Sequence, residues 1–225
     1  MKKHVFLIAA AAVMLMACGA KQNQNSGNNA DSTTVSNGGD AMNRVSTPSQ
    51  TEPYDLAFYG LKGNVKKMNN NVEFDKSGII VKVDGYNPFE LEEPQRSFNE
   101  ETNEVSDLEK WTRDGKGRII SQRAWEYEQI YVWEGSQIIR DTTYCEGQIW
   151  LTTYEYDKDS RLVKNTTVMC EDNGKFEFEP CGTLEFTYKD FDSHNNWTKC
   201  ITKKSDAVSN EVSEDEVTRT IEYWE

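Results

Sequence analysis

This 225-residue chain is poor in histidine, in cationic charge and in long apolar runs, and each shortage removes a class of function. Its two histidines are His4 and His194. A multi-histidine metal site is therefore excluded, and a histidine-based triad has at most one imidazole to draw on. Lysine and arginine total 25 against 38 aspartates and glutamates, a formal net charge of −13. A field of that sign repels phosphate backbones, so nucleic acid is not an expected partner, and no basic patch is at hand to hold a membrane surface. The longest uncharged apolar run, Val5 to Met16, has 12 residues. Crossing a bilayer as a helix takes about 20, so a permanent transmembrane helix is not expected. Cys-x-x-Cys spacings are missing, which removes the commonest zinc and dithiol signatures. Long stretches with a 3.6-residue apolar period are missing too; only Asn103 to Trp111 has room for one or two helical turns.

What is present begins with a short basic start, Met1-Lys2-Lys3-His4, ahead of the apolar run, which is the pattern of a signal peptide. The run ends in Leu15-Met16-Ala17-Cys18, which resembles the lipobox of bacterial lipoproteins. The resemblance implies that residues 1–17 are cut away, that Cys18 is acylated, and that the chain is held on a membrane by lipid. Each buried CH₂ of such an anchor adds about 0.8 kcal/mol. Losing Lys2 and Lys3 takes the net charge from −13 to −15. Residues 18–52 hold few large apolar side chains and much Asn, Ser, Thr, Gly and Gln, a composition that cannot offset chain entropy. They read as a flexible linker of roughly 30 Å mean span. Gly19-Ala20-Lys21-Gln22-Asn23-Gln24 lacks an acidic cluster resembling a surface-export signal. The expected location is the outer membrane of a cell envelope, with the periplasmic side favoured over the cell surface.

At Pro53-Tyr54 aromatic and β-branched residues set in, and residues 53–225 read as one domain long enough to build a core. It carries Cys145, Cys170, Cys181 and Cys200. An even count in an exported protein reads as disulfides, with three pairings possible. The favoured set joins Cys170 to Cys181 across a turn at Glu171-Asp172-Asn173-Gly174-Lys175 and leaves Cys145 to Cys200; unbridged buried thiols are the alternative.

One phrase recurs: Asp75-Lys76-Ser77-Gly78-Ile79-Ile80-Val81, Asp114-Gly115-Lys116-Gly117-Arg118-Ile119-Ile120, Asp157-Lys158-Asp159-Ser160-Arg161-Leu162-Val163 and Asp192-Ser193-His194-Asn195-Asn196-Trp197-Thr198. An Asp at the head of a turn accepts backbone N–H bonds, and the fourth position suits a residue tolerating positive φ. Gly does so freely and Asn fairly well; Ser160 does so poorly, so the third copy is expected to turn differently. Shorter turn signals stand at Glu134-Gly135, Glu146-Gly147 and Asn173-Gly174. Between them, Ala124 to Trp133 and Trp150 to Tyr156 have strand composition. Adjacent apolar pairs, Ile119-Ile120, Ile138-Ile139 and Leu162-Val163, point to opposite faces of a strand, so both faces should be partly covered. The fold predicted is all-β, an antiparallel meander of hairpins in a curled sheet or two packed sheets, with little helix.

Tyr154-Glu155-Tyr156-Asp157-Lys158-Asp159-Ser160-Arg161-Leu162-Val163 resembles the Tyr-x-Tyr-Asp-x-x-Gly-Arg-Leu phrase of Rhs/YD-repeat proteins. Phe191-Asp192-Ser193-His194-Asn195-Asn196-Trp197-Thr198-Lys199 and the opening Tyr59-Gly60-Leu61-Lys62-Gly63-Asn64-Val65-Lys66-Lys67 are similar to phrases of repeat-containing lipoproteins of Bacteroidetes-type bacteria. The resemblance implies hairpin construction and export. It brings over no catalytic residue, and four to eight hairpins are too few for the cargo-enclosing shell of large Rhs proteins.

No cofactor is suggested by any motif, and no metal or catalytic constellation stands out. His194 occupies a turn position held elsewhere by Ser77, Lys116 and Asp159, and reads as turn surface. Glu126, Glu128, Glu155, Glu177, Glu179, Glu185 and Glu222 alternate with apolar residues, as a solvated sheet face does. Asp31-Ser32-Thr33 and Asp141-Thr142-Thr143 resemble the O-glycosylation pattern of Bacteroidetes. Aromatics are the remaining asset: Trp125, Trp133, Trp150, Tyr154 and Tyr156 are either sheet core or a surface for stacking sugars or peptides. The function expected is a non-enzymatic binding or scaffolding module of the cell envelope that presents a β-sheet surface to protein or glycan. The alternative is a carboxylate-dependent glycoside hydrolase acting on envelope or dietary polysaccharide.

Overall fold

The computed structural model describes residues 53–99, 104–171 and 175–225. The expected signal peptide, Cys18, the expected linker, the Asp31-Ser32-Thr33 triplet and the turn expected at Asn173-Gly174 lie outside the described residues. Contacts gather Gln50–Glu225 into one compact unit. It opens with one short helix, α1 (Tyr54–Phe58), started by Pro53 and ended at Gly60, whose φ of 60° turns the chain out of the helix. Among the described residues no further helix follows it, and the domain is all-β.

Strands β1 (Val65–Met68), β2 (Val72–Phe74) and β3 (Ile80–Val83) form a meander of their own. A two-stranded ribbon, β4 (Gln95–Asn99) and β5 (Glu104–Leu108), follows. Then comes an uninterrupted antiparallel meander: β6 (Lys110–Arg113), β7 (Ile119–Arg123), β8 (Tyr127–Glu134), β9 (Gln137–Cys145), β10 (Gln148–Tyr156), β11 (Leu162–Glu171), β12 (Glu179–Phe191), β13 (Trp197–Asp206) and β14 (Val212–Thr218). The last strand, β15 (Ile221–Tyr223), returns to pair with β1, so the small sheet holds both ends of the domain. None of the sheets closes into a barrel.

All four Asp phrases are hairpin turns with one geometry. The Oδ1 of Asp75, Asp114, Asp157 and Asp192 accepts the N–H two residues on (2.8–2.9 Å) and four residues on (2.9–3.0 Å). In each copy the pairing register slips just before the Asp, a bulge that sets up the turn. The fourth position has φ of 80° at Gly78, 84° at Gly117, 62° at Ser160 and 63° at Asn195. The third copy thus turns like the others: the carboxylate's two bonds and the backbone pair Ser160 N–H to Asp157 C=O (3.0 Å) hold serine in the left-handed region. Gly78 is required on a second ground, since a Cβ there would lie 2.7 Å from Pro53 Cγ and 2.9 Å from Leu56 Cδ1.

The core gathers where α1 and the small sheet meet the start of the long meander. Leu56, Leu61, Val65, Val72, Phe74, Trp111 and Ile119 are all buried, and Phe58 packs edge-on to Tyr131 at 5.3 Å. Asp55, fully buried, binds Arg113 through both carboxylate oxygens and accepts Ile80 N–H, tying helix, small sheet and meander together. At the other end Asn196 clasps the backbone of Lys62, accepting its N–H and donating to its C=O, both at 2.8 Å. The buried Arg219 lies 3.9 Å over Trp197 and donates to the carbonyls of Tyr59, Gly60 and Trp197; burial pushes its guanidinium down to about 10.

Three expectations are corrected. The described part of the Asn103 to Trp111 stretch lies in β5 and the start of β6 rather than in helical turns, and the helix lies at Tyr54–Phe58. The pair Ile138-Ile139 does not cover two faces: a bulge leaves Ile138 buried and turns Ile139 outward at 38% exposure. No disulfide joins Cys145, Cys170, Cys181 and Cys200. Cys145 on β9 and Cys200 on β13 are four strand spacings apart, about 19 Å along a sheet, whereas a disulfide needs Cα atoms within about 7 Å. Cys170 and Cys181 are offset along neighbouring strands, where Val168 pairs with Pro180, and burial pushes the Cys200 and Cys181 thiols up.

Candidate functional site

The ends of the long meander differ. The Asp turns at Asp114, Asp157 and Asp192 occupy one end; the β7–β8 loop and the β9–β10 turn occupy the other. There Glu146 and Gly147 take φ of 48° and 76° in a two-residue hairpin, while Ala124 N–H bonds Tyr127 C=O at 2.9 Å and pushes Trp125 outward. Between the two connections lies an open cleft of about 290 Å³, lined by Trp125, Tyr127, Glu128, Tyr144 and Glu146 among others. Trp125 is 65% exposed and Tyr144 43%, the greatest exposures of any described tryptophan and tyrosine.

The cleft's floor and rim are fixed by polar contacts. Arg96 reaches from β4 to hold Asp107 with two bonds (2.8 and 3.0 Å) and Glu126 with a third (2.8 Å), its guanidinium 5.9 Å over the Trp125 ring. Arg123 is drawn to Glu93. The Tyr127 hydroxyl donates to Glu109, which also accepts Trp111 Nε1–H at 2.9 Å; burial and the Glu109 carboxylate push the Tyr127 phenol well up, so it stays protonated. Glu128 stands directly across from both Arg123 and Tyr144 in the sheet register.

A second polar group lies inside the sheet. Gln122, Gln129, Asp141, Thr143, Thr152, Asn165 and Thr167 are buried on consecutive strands. Asp141, 1% exposed, accepts hydrogen bonds from Tyr154 and Thr143, and Tyr131 donates to Gln122 (2.6 Å) and Gln129 (2.8 Å). Burial raises the Asp141 carboxyl to about 6, against the pull of the Tyr154, Gln129 and Thr143 bonds.

The five aromatics singled out in the sequence separate accordingly. Tyr154 is buried on Asp141, Tyr156 donates to Ile138 C=O (2.8 Å), and Trp133 donates to Ile119 C=O (2.7 Å) beside Phe58. Trp150 is half-buried across from Thr143 and Met169. Trp125 alone of the five stands in solvent, and its partner in exposure, Tyr144, was missed because alternation along β9 does not tell which face is covered. His194 is exposed in its turn and stacks on Tyr223 at 3.9 Å, whose hydroxyl donates to Asp192. In the Asp141-Thr142-Thr143 triplet Asp141 and Thr143 are buried and Thr142, in mid-strand, is half-buried.

Of the seven glutamates singled out in the sequence, Glu126 and Glu128 line the cleft and the other five do not. Glu155 and Glu185 are bound to Lys164 and Lys203 in a row of alternating charge across the sheet, and Glu177, Glu179 and Glu222 are exposed. Glu126 is taken by Arg96. Asp141, a carboxyl whose affinity for protons is raised as a general acid requires, is buried inside the sheet. No group of three His, Cys, Asp or Glu side chains among the described residues is placed to hold a metal ion. Nor is any helix among them long and apolar enough to cross a membrane. No family model matches this chain, and no curated protein does.

Proposed function

We propose that this chain is a cell-envelope lipoprotein, anchored through Cys18, whose β domain binds a glycan in the cleft beside Trp125 without processing it. The observation that carries the reading is the 65% exposure of Trp125 on the rim of an open 290 Å³ cleft, a broad flat ring held out by a loop that could have buried it. Aromatic faces of this kind stack on sugar rings, and the surrounding carboxylates and amides supply hydrogen-bond acceptors for hydroxyls. Glycan arrays followed by calorimetry on the full chain in detergent test it. A saccharide should bind, and Trp125→Ala should weaken it about tenfold, the loss of one good stacking contact. No saccharide binding, or binding indifferent to Trp125, refutes the reading.

The anchor rests on the basic start, the 12-residue apolar run and Ala17-Cys18. Cells fed a labelled fatty acid should tag the wild-type chain, and Cys18→Ser should lose both label and membrane retention. Label retained in the variant would overturn the anchor.

A further inference from the structure

We infer that the saccharide taken by the Trp125 cleft carries protonated amines, as a de-N-acetylated amino-sugar polymer does; this rests on the glycan reading of the cleft. The argument is one of unmatched charge beside an open aromatic face. Three carboxylates line the cleft, those of Glu126, Glu128 and Glu146, and the two guanidinium groups beside them, Arg96 and Arg123, are shared with Asp107 and Glu93. Arg96 is spent on Asp107 and Glu126, and Arg123 on Glu93. That leaves Glu128 and Glu146 without a cation among the described residues, one half-buried beside Tyr144 and one on the β9–β10 turn. Arg123, the one cation directly across from Glu128, points its guanidinium elsewhere.

The Trp125 ring adds to this preference. An aromatic face is the negative end of a quadrupole and attracts a cation within about 6 Å, and Arg96 already sits over the ring at 5.9 Å. Trp125 still keeps 65% of its surface open. A ligand built of pyranose rings bearing ammonium groups satisfies both features at once: the C–H face of a ring stacks on Trp125 while an amine reaches Glu128 or Glu146. A neutral or acidic polysaccharide meets the ring and is met by uncompensated carboxylates. A lysine side chain satisfies the charge and leaves the broad ring surface uncovered.

The test uses the full chain in detergent and four probes in calorimetry: a glucosamine hexamer, its N-acetylated counterpart, a neutral glucose hexamer and an oligolysine. The glucosamine hexamer should bind at least about tenfold more tightly than either uncharged hexamer, with an advantage that shrinks as salt screens it. Glu128→Gln and Glu146→Gln should each cost it about fivefold, the upper range for an exposed ion pair, without moving the urea midpoint of the protein. Equal binding of acetylated and free-amine hexamers overturns the inference and leaves the glycan reading standing. Binding of oligolysine in place of the hexamers, or of no probe, overturns the inference, and where the glycan array is empty as well the glycan reading falls with it.

Discussion

Asp141 makes the pH dependence of stability a test of the fold. Its carboxyl is 1% exposed and raised from 3.8 to about 6, chiefly by burial. Because the folded-state value exceeds the unfolded one, the folded chain holds the extra proton between those limits. The stabilising contribution is fully present below pH 3.8 and lost as pH rises through 6. At 1.36 kcal/mol per unit the whole swing is about 3 kcal/mol, of which about 2 kcal/mol remains near pH 4.5 and essentially none near pH 8. Asp141→Asn removes the titration and keeps the shape. Many other carboxylates titrate over the same range, so the quantity to measure is the difference between wild type and variant. Urea unfolding followed by tryptophan fluorescence serves, since Trp111 is buried and the chain has six tryptophans. Wild type minus variant should become about 2 kcal/mol less favourable from near pH 4.5 to near pH 8. A constant offset would be absorbed, because it reflects how the new amide finds partners among Thr143, Gln129 and Tyr154. A difference flat within about 0.5 kcal/mol, at any offset, would refute the burial of an unpaired carboxyl there.

Three further substitutions probe the scaffold, each read by urea midpoint. Asn196→Ala removes two bonds to the Lys62 backbone and one to Tyr223, each at 2.8 Å, and should cost about 3 kcal/mol; a loss under about 1 kcal/mol means that the Asn196 clasp does not hold the small sheet to the meander. Ser160→Gly, relieving a φ of 62°, should stabilise by up to about 1 kcal/mol, whereas Gly117→Ala, at 84° in open space, should cost about 1 kcal/mol; the same sign for both would contradict the shared turn geometry. Gly182→Ala would set a Cβ 2.3 Å from the Ser205 carbonyl oxygen, so it should break β12–β13 pairing, visible as lost amide protection in both strands; unchanged protection would refute that close approach.

How much of this was legible follows from the range of the forces involved. The hairpins could be read because an Asp side chain satisfies N–H groups two and four residues away, a device complete within seven residues. Ser160 was misjudged because intrinsic φ preference was weighed without the two Asp157 bonds and the turn's own backbone bond that override it. The placement of the first copy in a separate sheet was not legible at all. The sheet that holds it is completed by β15, which pairs Tyr223 with Val65 from the other end of the domain's sequence, and no local signal encodes a partner that far away. The departure of the fourth copy now has a physical reason. Asn196 stands where the other copies have Ile79, Arg118 and Arg161, and it alone is turned to the chain opening at Lys62.

The cleft was half legible, and the missing half has one cause. Composition marks Trp125 as able to bind, but Ala124 to Trp133 reads as one continuous strand, in which Trp125 would alternate with Glu126 like any sheet residue. The strand begins only at Tyr127, because the bond from Ala124 N–H to Tyr127 C=O closes a loop first and takes Trp125 out of the alternation. The same blindness hid the interior. Gln122, Asp141 and Asn165 are polar residues at positions a hydropathy pattern assigns to solvent, yet they are 1–2% exposed on the face that also carries Tyr131 and Tyr154. Period-two patterning tells which residues share a face and is silent on which face is covered. In this domain the covered face is rich in amides and hydroxyls and the open end carries a tryptophan, so the usual inference from polarity to exposure runs backwards at Asp141 and Trp125.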